Sequence, residues 1–414
     1  MELTDWLQRI EQQHPVKWDL GLARVGEVGR RLDVLQPAPL VFLVAGTNGK
    51  GSTCEYIARL CESLGKTVGK STSPHLQRFN ERIEVQGTAA ADAQICAAFE
   101  AIDTARGDIS LTYFEYGTLA ALLIFKWAKV DVAVLEIGLG GRLDAMNIVT
   151  PSVSVITRIA LDHQAWLGDT RELIGAEKAG IMRAGVPCVV SDPAPPLTIG
   201  VQADVLGSPM SAIGRDFGWT ADSVWLQQAG ANVSFTDLPP LSLPADSFAA
   251  ASQAVACAGL QVTPAAMAWA ATEGRVAGRF QLLNEPHRTV LDVAHNPDAA
   301  AYLRDKLQVL LGAQGRCHAV VGMYGDKDYA AVLALLAPLV SHFHCTDLAE
   351  SRAAPATLLA AVVNNLNGSG ASTYAKVSLA YEAAVQQCSD ADLILVFGSF
   401  PVVAGVLDYI DASE

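Results

Sequence analysis

No apolar run in the 414 residues reaches the roughly 18 needed to cross a membrane. The opening stretch, MELTDWLQRIEQQHP, is polar and amphipathic and lacks the apolar centre of a secretory signal. A cytoplasmic protein with no membrane partner is therefore expected. There is no C-x-x-C pair. The eight cysteines, at 54, 61, 96, 188, 257, 317, 345 and 388, have no metal-ligand spacing and read as small buried hydrophobes rather than a disulfide framework. Charge is sparse, at 17% of residues, and the net charge of −14 disfavours nonspecific binding to nucleic acid. It does not oppose one anionic ligand held by a local ring of N–H groups and a lysine. Internal repeats and low-complexity tracts are missing too. What is plentiful is apolar residue, 51% of the chain, enough to fill two or three domain cores.

The first part alternates strand and helix signals. LVFLVAG (40–46), KTVGKSTS (66–73), VDVAVLEIGLGG (130–141), PSVSVITRI (151–159) and VPCVVS (186–191) read as strands. Helices are expected at 52–65, 112–129 and 170–182. Such alternation predicts a mostly parallel sheet covered by helices. Residues 193–247 are rich in Pro, Gly, Ser and Asp and read as small antiparallel strands, followed by two alanine-rich helices. A domain boundary is expected at 284–287, so that 1–283 forms a P-loop domain. Residues 288–414 then form a smaller Rossmann-like α/β domain with strands RTVLDVAH, CHAVVGMY, SHFHCTD and ADLILVFGS.

The stretch VFLVAGTNGKGSTC (41–54) ends a buried strand in glycines around one lysine, Lys50. It lacks the G-x-x-x-x-G-K-[ST] spacing, yet a glycine-rich turn before a helix aims N–H groups and a helix dipole at one anion. Three more stretches follow strand ends, and a fourth lies in an expected helix. In STSPH, Ser73 could be a hard oxygen ligand for Mg²⁺, or the loop a capped turn punctuated by Pro74; NERI (80–83) follows it. In LEIGLGGRLD, Glu136 suits Mg²⁺, the alternative being an ion pair with Arg142. In ALDH, His163 is an unusual Mg²⁺ ligand and could be a core histidine. In EKAGI, Lys178 could lie on a solvated helical turn. GRFQ (278–281) and DVAHNP (292–297) flank the expected domain boundary, and GMYGDKD (322–328) ends a strand in a polar turn.

Together, GTNGKGS, STSPH, FEYGTLAAL, LEIGLGGRLDAMNIV, ALDH, EKAGI, GRFQ, DVAHNP and GMYGDKD occur in the order found in folylpolyglutamate synthases. Nearly the whole chain resembles that family, most of all its bacterial bifunctional dihydrofolate synthase branch, a relative of the Mur peptidoglycan ligases. The resemblance implies ATP-dependent ligation of L-glutamate to dihydropteroate, and to the γ-carboxylate of tetrahydrofolate, through an acyl phosphate. It implies ATP-phosphate contacts at Thr47, Asn48, Gly49, Lys50, Gly51 and Ser52. It implies two Mg²⁺ ions held by Ser73, Glu136, His163 and a carbamylated Lys178. Lys50, Lys178 and His163 would act in catalysis. Arg279 and Asp292 would contact the nucleotide from either side of an interdomain cleft, with His295 close by. The pterin pocket would take Asp19, Leu20, Gly21, Leu22, Thr112, Tyr113, Asp144, Ala145 and Met146. The family also suggests a monomer.

Two departures from the family pattern stand out. Its Asn after a proline is replaced here, so that Ser247 or Asp246 stands at that nucleotide contact. Its Asp-Ala-Thr-Asn reads Asp-Ala-Met-Asn, and Met146 offers no hydroxyl. A monofunctional folylpolyglutamate synthase is the alternative within the class; the segment at 19–22 favours the bifunctional branch. A Mur-type ligase for a UDP-sugar would need a further N-terminal domain. A P-loop NTPase regulator would not explain the EKAG lysine or the second α/β domain.

Overall fold

The structure is a computed structural model and describes residues 1–14, 19–312, 316–366, 370–389 and 391–412. It divides into two compact units, Met1–Gly274 and Arg275–Glu414. The mixed α/β class with a separate, smaller C-terminal α/β unit is as the sequence predicts.

The first unit is built on an eight-stranded sheet. Its strands are β1 (Leu40–Ala45), β2 (Val68–Ser71), β3 (Ile83–Val85), β4 (Thr88–Ala89), β5 (Val132–Glu136), β6 (Val153–Ile156), β7 (Cys188–Val190) and β8 (Met210–Ala212). The order is β4-β3-β2-β5-β1-β6-β7-β8, parallel from β2 through β8 and antiparallel at β3 and β4. β1 and β5 are almost wholly buried, as continuous apolar runs in a sheet covered on both faces must be. β1 lies between β5 and β6, so the chain leaves its two neighbours on opposite sides of the loop that follows it. Ligands of open parallel sheets sit at such a switch, outside the carboxyl ends of the strands.

The helix after β1 runs Lys50–Ser63 and packs on the two alanine-rich helices, Ala245–Cys257 and Pro264–Glu273. Small side chains on those helices permit the close approach. Helix Tyr113–Ala128 starts in a capping box. Thr112 Oγ1 accepts the Glu115 amide (3.2 Å), and the Glu115 carboxylate accepts the Thr112 amide (2.7 Å).

Residues 193–247 differ from expectation. Leu197–Leu206 is a helix, set off by Pro196 and closed by Gly207 at φ 57°, and β8 joins the main sheet in parallel. Only β9 (Gly218–Trp219), β10 (Ser223–Gln228) and β11 (Ala231–Thr236) form the expected antiparallel sheet. Helix Asp92–Arg106 and the β3–β4 hairpin are further additions to the sequence reading.

The second unit contains β12 (Gln281–Leu283), β13 (Thr289–Asp292), β14 (Cys317–Val321), β15 (His342–Thr346), β16 (Gly370–Tyr374) and β17 (Leu393–Phe397), in the order β12-β13-β17-β14-β15-β16. All pairs are parallel except β12–β13. Hairpin pairing of β12 with β13 draws residues 275–283 into this unit, so the division falls earlier in the chain than 284–287. Among the described residues, no helix is long and apolar enough to cross a membrane.

Candidate active site

The glycine loop is tied to the strand beside it. The Thr47 amide donates to the Arg158 carbonyl (2.8 Å), and the Thr47 hydroxyl and the Ala160 amide and carbonyl meet at 3.1 Å. A Cβ on Gly46 would stand 1.7 Å from Thr157 Oγ1 at a φ of 151°, so only glycine fits there. Gly49, at φ 90°, is the N-cap of helix Lys50–Ser63. The loop therefore delivers its amides to a helix N-terminus, the geometry that holds phosphate. Ser52 is buried on the first turn of that helix. The departure at 246–247 is resolved by geometry. Ser247 is buried and its Oγ reaches the Gly49 carbonyl at 3.4 Å, whereas Asp246 accepts the Trp219 indole N–H at 2.6 Å.

Glu136 closes β5 and is only 4% exposed. Its Oε2 accepts the Ser73 amide at 2.9 Å, and Oε1 stands 3.9 Å from Lys50 Nζ. Lys50 also donates to the Thr47 carbonyl at 3.3 Å. Arg142 does not pair with Glu136; it is taken by Glu177 at 2.8 Å. A Cβ on Gly51 would stand 3.7 Å from the Glu136 carboxylate, in ordinary van der Waals contact.

Lys178 is buried, not on a solvated turn. Its Nζ donates to the Gly46 carbonyl at 2.8 Å, which ties it to the loop. Burial, with Lys50 adding repulsion, lowers its pKa to about 7, against smaller opposite effects of Asp162 and Asp144. Asp144 is itself buried, and burial raises its pKa to about 6 while backbone amides of Leu139, Met146 and Gly138 oppose the rise. His163 follows β6 at φ 51°, and its amide donates to Asp162 Oδ1 at 2.8 Å. Lys50, Ser73, Glu136 and Lys178 thus gather around the glycine loop, with Asp162 and Asp144 acting on Lys178.

The residues expected at the pterin pocket form two groups. Asp19 pairs with Arg24 (2.6 Å), Arg24 with Glu115 (3.2 Å), and Glu115 with the Thr112 amide. Arg24 and Glu115 were not singled out from sequence; the T-x-x-E spacing at 112–115 was the available signal for Glu115, and nothing marked Arg24. Leu22 is the N-cap of helix Ala23–Arg31, one residue after Gly21. The second group belongs to one apolar cluster, in which Ala145 and Met146 are buried and Leu20 and Tyr113 pack at its partly buried margin. Asp144 binds the Met146 amide (2.9 Å) and the Leu139 amide (2.8 Å), which fixes this turn.

Arg279, Asp292 and His295 come together in the second unit. The Asp292 carboxylate accepts the Phe280 and Ala294 amides, both at 2.8 Å. Burial raises its pKa against the opposing charge of Arg279. Arg279 lies over the Phe400 ring (5.6 Å), and His295 Nδ1 meets the Val293 carbonyl (2.8 Å) just before Asn296 caps helix Pro297–Leu311. Arg279 and Asp292 were expected on either side of a cleft. They share one unit instead, because β12 carries residues 278–280 onto β13.

The donor set suits a hard divalent cation. Glu136 offers a buried carboxylate beside a phosphate-type loop, with Ser73 next to it. Among the described residues no three His, Cys, Asp or Glu side chains form a metal cage. Mg²⁺ is commonly bound in this way, by one or two carboxylates together with water and substrate phosphates. The Lys178 ammonium could ligate only after losing its charge.

Two family models match the chain: the Mur ligase middle domain over residues 44–187 and the Mur ligase, glutamate ligase domain over 278–400. The dihydrofolate synthase/folylpolyglutamate synthase of Escherichia coli strain K12 is 43% identical over 410 residues, 99% of this chain and 96% of that protein. The solved structure of E. coli FolC in complex with DHPP and ADP superposes with a TM-score of 0.95 at 43% identity, covering 100% of this chain and 98% of the other. A bifunctional folylpolyglutamate synthase/dihydrofolate synthase with Mn, AMPPNP and L-glutamate bound gives a TM-score of 0.92 at 41% identity, over 99% and 98%. The chain belongs to the dihydrofolate synthase/folylpolyglutamate synthase family of Mur-type ligases.

Proposed function

We propose that the protein is an ATP-dependent acid–amino-acid ligase that joins L-glutamate to dihydropteroate and to the γ-carboxylate of tetrahydrofolate. The observation that carries this is the meeting of Lys50, Glu136 and Lys178 at the glycine loop. A simple phosphate-binding turn does not need a buried lysine of lowered pKa. ADP and DHPP bound in one relative's structure, and Mn, AMPPNP and L-glutamate in another, support the same reading.

The acceptor carboxylate oxygen attacks the γ-phosphorus of ATP and ADP leaves. The amine of glutamate then attacks the acyl carbon, loses a proton and expels inorganic phosphate. The amides of 47–52 and the Lys50 ammonium hold the phosphates and neutralise charge as it shifts, which is most of what such a transfer requires of a protein. Mg²⁺, held by Ser73, Glu136 and His163, supplies further charge neutralisation when bound. Neutral Lys178 adds CO₂ and releases a proton to become a carbamate, an anion that would help hold a second Mg²⁺. Met146 leaves the pterin pocket without the hydroxyl common in the family, while Asp19, Thr112, Tyr113 and Asp144 remain. In the second unit Arg279, Asp292 and His295 serve as nucleotide contacts. The protein acts as a cytoplasmic monomer.

The test is product mass. Incubation with ATP, Mg²⁺, L-glutamate and dihydropteroate should yield dihydrofolate, and with tetrahydrofolate a species heavier by one glutamyl unit. Product from tetrahydrofolate alone leaves the monofunctional reading; product from neither overturns the ligase.

A further inference from the structure

The NERI segment (80–83) has no role in the reaction as described, yet it places a cation beside it. Ile83 of β3 pairs with Ser71 of β2, and the Thr72 amide donates to the Arg82 carbonyl at 3.2 Å. Arg82 is thereby fastened to the carboxyl end of β2, next to the loop carrying Ser73. Its guanidinium lies over the Tyr113 ring (5.7 Å) and the Phe79 ring (5.6 Å), and those two rings meet edge to face at 5.8 Å. Nε donates to His75 Nδ1 at 2.7 Å. Among the described residues the guanidinium forms no ion pair and no second hydrogen bond; the carboxylates of Glu136 and Glu81 act on it only at longer range.

An arginine carries five donors in a planar fork, and a desolvated one without an anion is costly. Arg59 and Arg106 show the ordinary solution, each paired with carboxylates at 2.7–2.8 Å. Arg82 is instead stacked on aromatic faces, a support that leaves both Nη groups available. Its stack begins on Tyr113, beside the residues assigned to the pterin pocket, and its field reaches Glu136 at the phosphate end. An aromatic ring ending in a carboxylate has the chemistry to meet both, the ring at Tyr113 and the carboxylate at the guanidinium.

We infer that Arg82 binds the carboxylate of the folate-type acceptor through its free Nη face and presents it to the γ-phosphate, and that His75 is a positioning residue for Arg82. This rests on the ligase reading above. Because the arginine Nε can only donate, His75 Nδ1 is the acceptor and the imidazole proton sits on Nε2. That bond fixes the fork's rotation about its last torsion. A bidentate arginine–carboxylate pair specifies the plane as well as the position of the acceptor, which a lysine cannot do.

The experiment is steady-state kinetics on the full chain, wild type against Arg82→Lys and Arg82→Gln, with the acceptor, ATP and L-glutamate varied in turn. ADP affinity by calorimetry reports on an intact nucleotide site. Both variants should lose roughly 30-fold or more in kcat/KM for the acceptor, with KM for ATP and ADP affinity within about twofold of wild type. His75→Phe should share the acceptor defect, and His75→Gln, whose amide oxygen can accept from Nε, should recover part of it. Unchanged acceptor kinetics in Arg82→Lys and Arg82→Gln overturn the inference. A defect confined to the ATP or glutamate KM overturns it too, by placing Arg82 on another ligand. A wild-type enzyme without acceptor-dependent turnover overturns the ligase reading itself.

Discussion

Lys178 makes the sharpest demand on the proposed mechanism. An amine reacts with CO₂ only when neutral. With a pKa of about 7, about nine in ten Lys178 side chains are neutral at pH 8, against about three in a thousand for a lysine at the usual 10.5. Burial and the Lys50 charge thus raise the reactive fraction by about 300-fold. Below pH 7 the ammonium dominates and carbamate formation should fade. Protein equilibrated with ¹³C-bicarbonate at pH 8 should show one carbamate carbon signal, lost in Lys178→Ala. That variant should bind ATP but lack ligase turnover. Full activity in Lys178→Ala, or full activity of wild type stripped of CO₂ with no carbamate signal, would refute the reasoning.

Three shorter expectations follow from the geometry. A Cβ on Gly141 would stand 2.6 Å from the Glu177 carbonyl and 2.9 Å from Lys178 Cα, both backbone atoms; Gly141→Ala should destabilise the protein by about 1–3 kcal/mol and depress kcat, read by thermal melting and turnover. Ser247→Ala should raise the KM for ATP about two- to tenfold, and Asp246→Ala should not, since that carboxylate is engaged by Trp219; equal effects would contradict the placement. His318, His342 and His344 cluster on β14 and β15, with ring centroids 4.9–6.2 Å apart, and burial, reinforced by the other two, lowers the His344 pKa from 6.5 to about 3. The unfolded chain then binds the extra proton between those values, so stability falls as pH drops below about 6.5, by about 2 kcal/mol from this group at pH 5. Urea unfolding at pH 5 and 8 should show a smaller pH effect in His344→Phe; an unchanged one would dismiss His344 as the cause.

Much of this site was legible because it lies at strand ends. A buried apolar run that stops at Ala45 or Glu136 places the next residues at the carboxyl edge of a parallel sheet, and the glycines at 46 and 49 need backbone conformations or closeness that other residues resist. What sequence spacing could not show were side-chain destinations. Whether Ser247 or Asp246 faces the loop depends on Trp219, 27 residues away in the chain. Arg24 joins Asp19 to Glu115 across a separation of 91 residues. A three-residue edge strand, Gln281–Leu283, carries almost no periodic signal; only its pairing with β13 shows that it belongs with the unit that begins at Arg275. Helix Leu197–Leu206 was hidden for another reason: its apolar residues fall on several faces, as exposed Leu197, Val201 and Val205 show.

The central claim is acceptor-dependent ligation, and ADP release measures it most directly. With ATP and Mg²⁺ present, ADP formation is followed with dihydropteroate, with tetrahydrofolate and with neither, each with and without L-glutamate. Sustained turnover should require both an acceptor and glutamate, with either acceptor sufficing. ADP released at the same rate without an acceptor would contradict the account and leave an NTPase in place of a ligase.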